Sequence, residues 1–139
     1  MHIRYFTFKI KIDDRGSLVA VEASKDIPFE IKRVYYIFKN KENVIRGLHA
    51  HKILKQILIC LNGSCVITVD DGKDRIDVSL HQPNIGLYIG PGVWREMKNF
   101  SHDSVLLVLA SEYFDDTDYI RNYQEYIKYI NTFNRGDEK

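Results

Sequence analysis

Cysteine is scarce, with two residues in a chain of 139, so a disulfide-stapled scaffold and a four-thiolate zinc site are both excluded. An excess of one charge is missing as well. Twenty Lys+Arg against 19 Asp+Glu leave a formal charge of +1, so no net field draws the chain toward nucleic acid or an anionic membrane. Any anion must then be held by locally placed cations. Apolar runs such as those at 57–61 and 105–110 fall far short of the roughly 20 residues that span a bilayer. The opening Met1-His2-Ile3-Arg4-Tyr5-Phe6 soon meets Lys9 and Lys11 and has no apolar core or cleavage site of the secretory kind. Repeats, low-complexity stretches and interdomain linkers are not found. The expectation is a cytoplasmic protein, and the length predicts a single domain over 1–139, whose 45% hydrophobic share suffices for one core.

What is abundant is punctuation. Gly, Pro, Asn and Asp separate short runs rich in Val, Ile, Leu and Tyr, which predicts strands over 6–12, 18–22, 31–38, 47–51, 56–61, 64–69, 73–80, 86–89 and 104–111. Asn62-Gly63 and Asp71-Gly72 read as turns of consecutive hairpins, because such pairs tolerate positive φ. A hairpin at Asn62-Gly63 would set Cys60 opposite Cys65. Geometry then permits a disulfide, but a reducing compartment favours two buried thiols acting as small hydrophobes. The segments 56–61 and 105–109 are apolar on both faces, as suits a sheet covered on both sides. The fold is read as mostly β, a sandwich or barrel. Near the C-terminus the period changes. Ile120, Tyr123, Ile127 and Ile130, with Tyr119 and Tyr126 alongside, predict an amphipathic helix over about 117–132, capped by Asp115, Asp116 or Thr117 and followed by a polar tail, 133–139.

Of five histidines, His49 and His51 are informative. A strand's period of two puts both imidazoles on one face and Leu48 and Ala50 on the other. Imidazole titrates near neutral pH, so the pair could divide proton acceptance and proton transport, or chelate a metal. Two surface histidines on an exposed strand fit the spacing equally well. His2, His81 and His102 have no such partner and read as solvated.

Arg46-Gly47-Leu48-His49-Ala50-His51, followed by Gln56 and Gly63, resembles the first cupin motif, with Gln56 at its acidic position. Gly86 through Pro91 to Trp94-Arg95-Glu96 resembles the second, whose histidine position falls on Glu96 or Arg95. Such a set is a poor one for a divalent ion, and no metal is expected. Asp14-Arg15-Gly16 and Arg46-Gly47-Leu48-His49 are similar to motifs of the dTDP-sugar 3,5-epimerases, in which arginines hold substrate and the histidine is the base. A fuller resemblance is to the sugar 3,4-ketoisomerases acting on dTDP-4-keto-6-deoxyglucose. It rests on Asp14-Arg15-Gly16-Ser17-Leu18, Ile31-Lys32-Arg33-Val34-Tyr35-Tyr36-Ile37-Phe38, His49-Ala50-His51, Cys60-Leu61-Asn62-Gly63-Ser64-Cys65, Gly90-Pro91-Gly92-Val93-Trp94 and Asp118-Tyr119-Ile120-Arg121.

This resemblance implies a cupin-type jelly roll with a C-terminal helix, no cofactor, and a homodimer, often with exchanged N-terminal strands. It further implies a 3-keto product aminated downstream for surface glycans. A 4-ketone acidifies the proton on C3, so a base yields an enediolate, and reprotonation at C4 leaves the ketone at C3. His49 and His51 are the candidates for base and shuttle, in either order, and Arg46 for the enediolate charge. Arg15, Arg33, Arg46 and Arg95 are candidates for the diphosphate. Arg33 and Tyr35 share a strand face and could grip phosphate and thymine together. Gln56, on an otherwise apolar face with Leu58 and Cys60, is read as bonding sugar hydroxyls or His51, and Glu96 as orienting a histidine or the ribose. Trp94 and Tyr88 are read as packing. The stereochemistry at C4 stays open, with Arg15 and Arg95 bearing on it. The alternatives are 3,5-epimerisation and a non-catalytic sugar-binding cupin.

Overall fold

Successive side chains of a strand point to opposite faces, so strands apolar on both faces must be covered twice. The computed structural model, which describes residues 1–137, covers them with a second sheet on one side and with a loop or a helix on the other. Twelve strands are formed: β1 (Ile3–Thr7), β2 (Ile10–Asp13), β3 (Gly16–Val19), β4 (Arg33–Phe38), β5 (Arg46–His51), β6 (Gln56–Asn62), β7 (Cys65–Asp70), β8 (Arg75–Leu80), β9 (Ile85–Ile89), β10 (Trp94–Lys98), β11 (Val105–Ala110) and β12 (Tyr119–Ile120). A helix, α1 (Tyr123–Asp137), follows. Two five-stranded sheets, ordered β1-β9-β6-β11-β4 and β12-β5-β10-β7-β8, form an antiparallel jelly roll, and β2-β3 is a separate ribbon.

Leu58, Cys60, Leu106 and Val108 from one sheet meet Ile67, Val69, Val78 and Leu80 from the other in the central core. On the outer face of the first sheet, Ile57, Ile59 and Leu109 pack under Phe8, Ile27 and Phe29. Outside the second, Ala50, Trp94 and Ile120 pack under Tyr126 and Ile130 of α1. The buried Tyr126 hydroxyl keeps its polar atom satisfied at the carbonyls of Gly92, 2.8 Å away, and Asp70, 2.9 Å away.

Four sequence expectations are revised. The segment 6–12 is two strands, because Phe8 turns into the outer cluster and its N–H bonds Asn84 O at 2.7 Å; β2 and β3 then pair through a turn at Asp14-Arg15. Asn62-Gly63 does not close a hairpin. β6 and β7 belong to different sheets, so this link carries the chain across the sandwich. Cys60 and Cys65 are free and buried. The hairpin expected at Asp71-Gly72 does form, between β7 and β8. Third, β10 was not foreseen. Finally, the helix begins at Tyr123, where Asn122 Oδ1 accepts the Glu125 N–H at 3.0 Å. Asp115 instead caps a one-turn 3-10 helix, Asp116–Asp118, and Tyr119 and Ile120 pair with His51 and Ala50. The helix runs through most of the expected polar tail, of which Glu138 and Lys139 lie outside the described residues.

Gly63 has φ +69°, and a Cβ there would sit 3.0 Å from Ser104 Cα and collide with Ser101. Gly63→Ala is therefore expected to destabilise the fold by about 1–3 kcal/mol, from the left-handed backbone and the displaced loop. Urea denaturation measures it, and a change under about 0.5 kcal/mol would show that the crossing relaxes freely.

Candidate active site

The site begins with an irregularity in β5. Its register with β10 pairs Arg95 with His49 and then Glu96 with Gly47, so Leu48 is an extra, bulged residue. Leu48 has φ 58° and Gly47 φ 80°. A Cβ on Gly47 would lie 3.0 Å from Arg95 O, so glycine lets the two strands close here. Past the bulge the period of two resumes. Ala50 faces the helix, and His49 and His51 face inward with ring centroids 4.7 Å apart. The expected juxtaposition is formed, although Leu48 is turned outward by the bulge rather than sharing the face of Ala50.

Each imidazole is anchored at Nδ1. His49 Nδ1 lies 3.0 Å from Gly47 O; a carbonyl only accepts, so the proton sits on Nδ1 and Nε2 holds the lone pair. His51 Nδ1 lies 3.3 Å from Asp118 Oδ2. The ring of Tyr119 packs on both, 4.9 Å from His49 and 4.4 Å from His51.

Beside them lies Arg95, 1% exposed. Its guanidinium donates to Gln56 Oε1 at 2.5 Å and to Val93 O at 3.1 Å, and among the described residues it has no carboxylate partner. Burial lowers its pKa to about 10, which leaves it charged at neutral pH. Burial first, and Arg95's charge second, depress His49 to about 4 and His51 to about 2. Both histidines are therefore neutral imidazoles at physiological pH, able to accept a proton. Gln56 passes its other end to Tyr35, its Nε2 donating to the phenol oxygen at 3.0 Å. Burial raises the Tyr35 pKa, so that hydroxyl keeps a proton to donate.

His51, with His49 packed behind it, lines a cleft of about 370 Å3 together with Arg33, Phe114, Asp118 and Tyr119. The Arg33 guanidinium lies 5.3 Å from the Tyr35 ring and 5.7 Å from Phe114. His49, His51, Arg33, Tyr35, Gln56 and Arg95 are thus brought together.

Three other candidates are not. Arg46 precedes the bulge, is exposed, and donates to Asn40 Oδ1 at 2.8 Å; Arg95 holds the place beside the histidines expected for it. Glu96 follows Arg95 and so faces the opposite way, toward Trp94 Nε1 at 3.0 Å and Arg75 at 2.6 Å, where it orients neither histidine. Arg15 stands on the β2-β3 ribbon, ion-paired with Asp13 at 2.6 Å and away from this cleft. Trp94 and Tyr88 pack as expected. Asp118, Tyr119 and Phe114 join the cleft without being among the sequence candidates for a site role. The Asp118-Tyr119-Ile120-Arg121 motif was the available signal, and the helical spacing of Tyr119 masked it.

The donors do not suit a divalent metal. Besides two histidines there is an amide whose oxygen is already committed to Arg95, and a permanent cation stands where a cupin would offer a ligand. Among the described residues no three His, Cys, Asp or Glu are grouped to hold an ion.

A double-sheet antiparallel jelly roll with paired histidines facing inward is the architecture of a cupin. Within that class the chain belongs to the FdtA family, described as WxcM-like, C-terminal, whose model matches residues 1–131. It is 55% identical over 138 residues, 99% of each chain, to the TDP-4-oxo-6-deoxy-alpha-D-glucose-3,4-oxoisomerase of Aneurinibacillus thermoaerophilus. A 3,4-ketoisomerase from Helicobacter canadensis superimposes with TM-score 0.92 at 50% identity, over 94% of this chain and 98% of that one. QdtA, a sugar 3,4-ketoisomerase from Thermoanaerobacterium thermosaccharolyticum solved in complex with TDP, gives TM-score 0.92 at 50% identity over 94% of this chain and 96% of that one. A histidine-to-asparagine mutant of QdtA has been solved with TDP-4-keto-6-deoxyglucose. By contrast a 3'-monoepimerase from Streptomyces bikiniensis is 16% identical, with TM-score 0.74 over 85% of this chain and 67% of that one, a likeness of fold alone.

Proposed function

We propose that this protein converts dTDP-4-keto-6-deoxy-D-glucose to a dTDP-3-keto-6-deoxyhexose by way of an enediolate. The observation that carries the reading is the pair of neutral imidazoles beside a buried guanidinium without a carboxylate partner. One imidazole takes the C3 proton, and the C–H electron pair becomes the C3=C4 bond while the negative charge moves to O4. The other carries the O3 proton to O4. Return of the first proton to C4 regenerates a carbonyl at C3. One hydrogen has left C3 and one has reached C4, so neither oxidant nor reductant is needed. Arg95 supplies the charge that meets the enediolate, and the Tyr35 hydroxyl is a second donor.

In this reading Arg33 takes the diphosphate at the cleft, and Phe114, exposed on its wall, offers a face to thymine. Tyr35, with its hydroxyl turned to Gln56, gives up that task. The protein acts as a homodimer. β4 is a sheet edge whose outward Val34, Tyr36 and Phe38 are more than half exposed, and the β2-β3 ribbon exposes Ile12 and Leu18, so both await a cover. Exchange of the N-terminal strands gives Arg15 a route to a partner's substrate. No helix among the described residues is long and apolar enough to cross a membrane. The reading is completed by a cytoplasmic setting and a 3-keto product destined for amination and surface glycans.

The test is incubation with the 4-keto sugar nucleotide in D2O, followed by NMR. Movement of the carbonyl from C4 to C3 is expected. Deuterium at C3 and C5 with the ketone still at C4 would mean epimerisation, and an unchanged sugar would mean binding alone; either overturns the proposal.

A further inference from the structure

The two histidines are oriented by different means. His49 is held by a backbone carbonyl, whereas His51 is held by a side chain that arrives from 67 residues further along. That side chain, Asp118, is itself rigidly placed. Oδ1 accepts the backbone N–H of Ile53 at 2.8 Å and of Lys52 at 3.2 Å, and Oδ2 accepts that of Leu54 at 3.2 Å. Its backbone O also takes the Lys52 N–H at 3.1 Å. The carboxylate thus grips the turn that leaves β5 while one oxygen reaches the imidazole. At the far end of the ring, His51 Nε2 is buried and has no hydrogen-bond partner in the protein. A buried polar atom left unpaired is costly unless it serves a ligand, and this ring also lines the cleft.

We propose that Asp118 is a positioning residue that fixes the tautomer of His51, keeping the proton on Nδ1 so that Nε2 is the nitrogen that exchanges protons with the sugar. The inference rests on the ketoisomerase reading for its catalytic consequence, but not for the tautomer itself. A carboxylate only accepts, so a neutral imidazole hydrogen-bonded to it through Nδ1 must donate there. Both histidines then present Nε2 as an acceptor, the arrangement a two-imidazole relay requires.

Asp118→Asn provides the test, because it preserves shape, reverses the bond to His51 and gives up only the bond from Leu54 N–H. The amide oxygen keeps the two N–H groups at the Oδ1 position, which places the NH2 group toward Leu54 N and His51 Nδ1. Nδ1 must then accept, and the proton moves to Nε2. Long-range 1H–15N correlation spectra, assigned with His51→Asn, are expected to show Nδ1–H in the wild type and Nε2–H in Asp118→Asn. The variant's kcat is expected to fall by about 10^2- to 10^4-fold, as a wrong tautomer does elsewhere, with KM within a few-fold and TDP affinity retained. A wild-type spectrum with Nε2–H overturns the proposal, as does an unaltered tautomer or near-normal kcat in the variant. If Asp118→Asn fails to fold, the wild-type spectrum alone decides the tautomer. A wild-type protein with Nδ1–H that leaves the keto sugar unchanged would defeat the ketoisomerase reading and not the tautomer assignment.

Discussion

Replacing His49 or His51 by asparagine is expected to lower kcat by about 10^2- to 10^4-fold and to leave KM within a few-fold. Asparagine is the informative choice because its NH2 group falls near the position of Nδ1. It can still donate to Gly47 O or to Asp118, so the anchors described above survive. What is lost is the ring's second nitrogen, the lone pair that receives a proton. On the proposed reading the substrate's affinity would come from the diphosphate and base, met by Arg33 and the cleft aromatics, so the ground state should be little affected. If the imidazoles act as one relay, His49→Asn/His51→Asn should be scarcely worse than either single variant, because removing one member already stops the transfer. Steady-state kinetics with the 4-keto sugar nucleotide measure all three. Near-normal rates in both single variants would remove the histidines from the chemistry.

The parts of this site that were legible in the sequence are those set by local periodicity. His49 and His51 are two apart on a strand and meet, and residues 57–60 alternate between two apolar clusters as their composition required. What escaped was set by partners distant in sequence. Asn62-Gly63 has the chemistry of a tight turn, and the same positive φ serves equally well to carry a chain between sheets. Arg46 lies closer in sequence to His49 than Arg95 does, yet the bulge at Leu48 diverts it, while antiparallel pairing sets Arg95 directly across from His49. Residues 94–98 hold two cations and a carboxylate, the composition of an exposed segment, so neither β10 nor the burial of Arg95 could be read there. Tyr119 and Ile120 fit a helical stripe by spacing, but their places beside His51 and Ala50 claim them for a strand. In each case a tertiary contact overrode a local preference.

Substitution of Arg95 by methionine should separate the electrostatic contribution of this site from its architecture. Methionine fills much of the same volume. Gln56 Oε1 and Val93 O each lose a donor, at about 1–3 kcal/mol apiece, and relief from burying a guanidinium without a carboxylate offsets several kcal/mol. The variant is therefore expected to fold, while kcat/KM at neutral pH falls by about 10^2- to 10^3-fold because the enediolate has lost its cation. The pH dependences give the sharper result. In the wild type the acid limb of kcat/KM should follow His49, with an inflection near pH 4, because burial and then Arg95 oppose a positive imidazole. Without Arg95 the inflection should rise, yet stay below the ordinary 6.5, since burial is the larger cause and remains. Stability moves the opposite way. Between pH 6.5 and 4 the unfolded chain binds a proton at His49 that the folded protein refuses, so wild-type stability falls as pH is lowered through that window. Raising the folded-state pKa narrows the gap, and Arg95→Met should lose less stability over the same range. One substitution thus makes activity more sensitive to acid and the fold less so. An acid limb that stays where it was would show that the guanidinium does not act on the imidazoles at all.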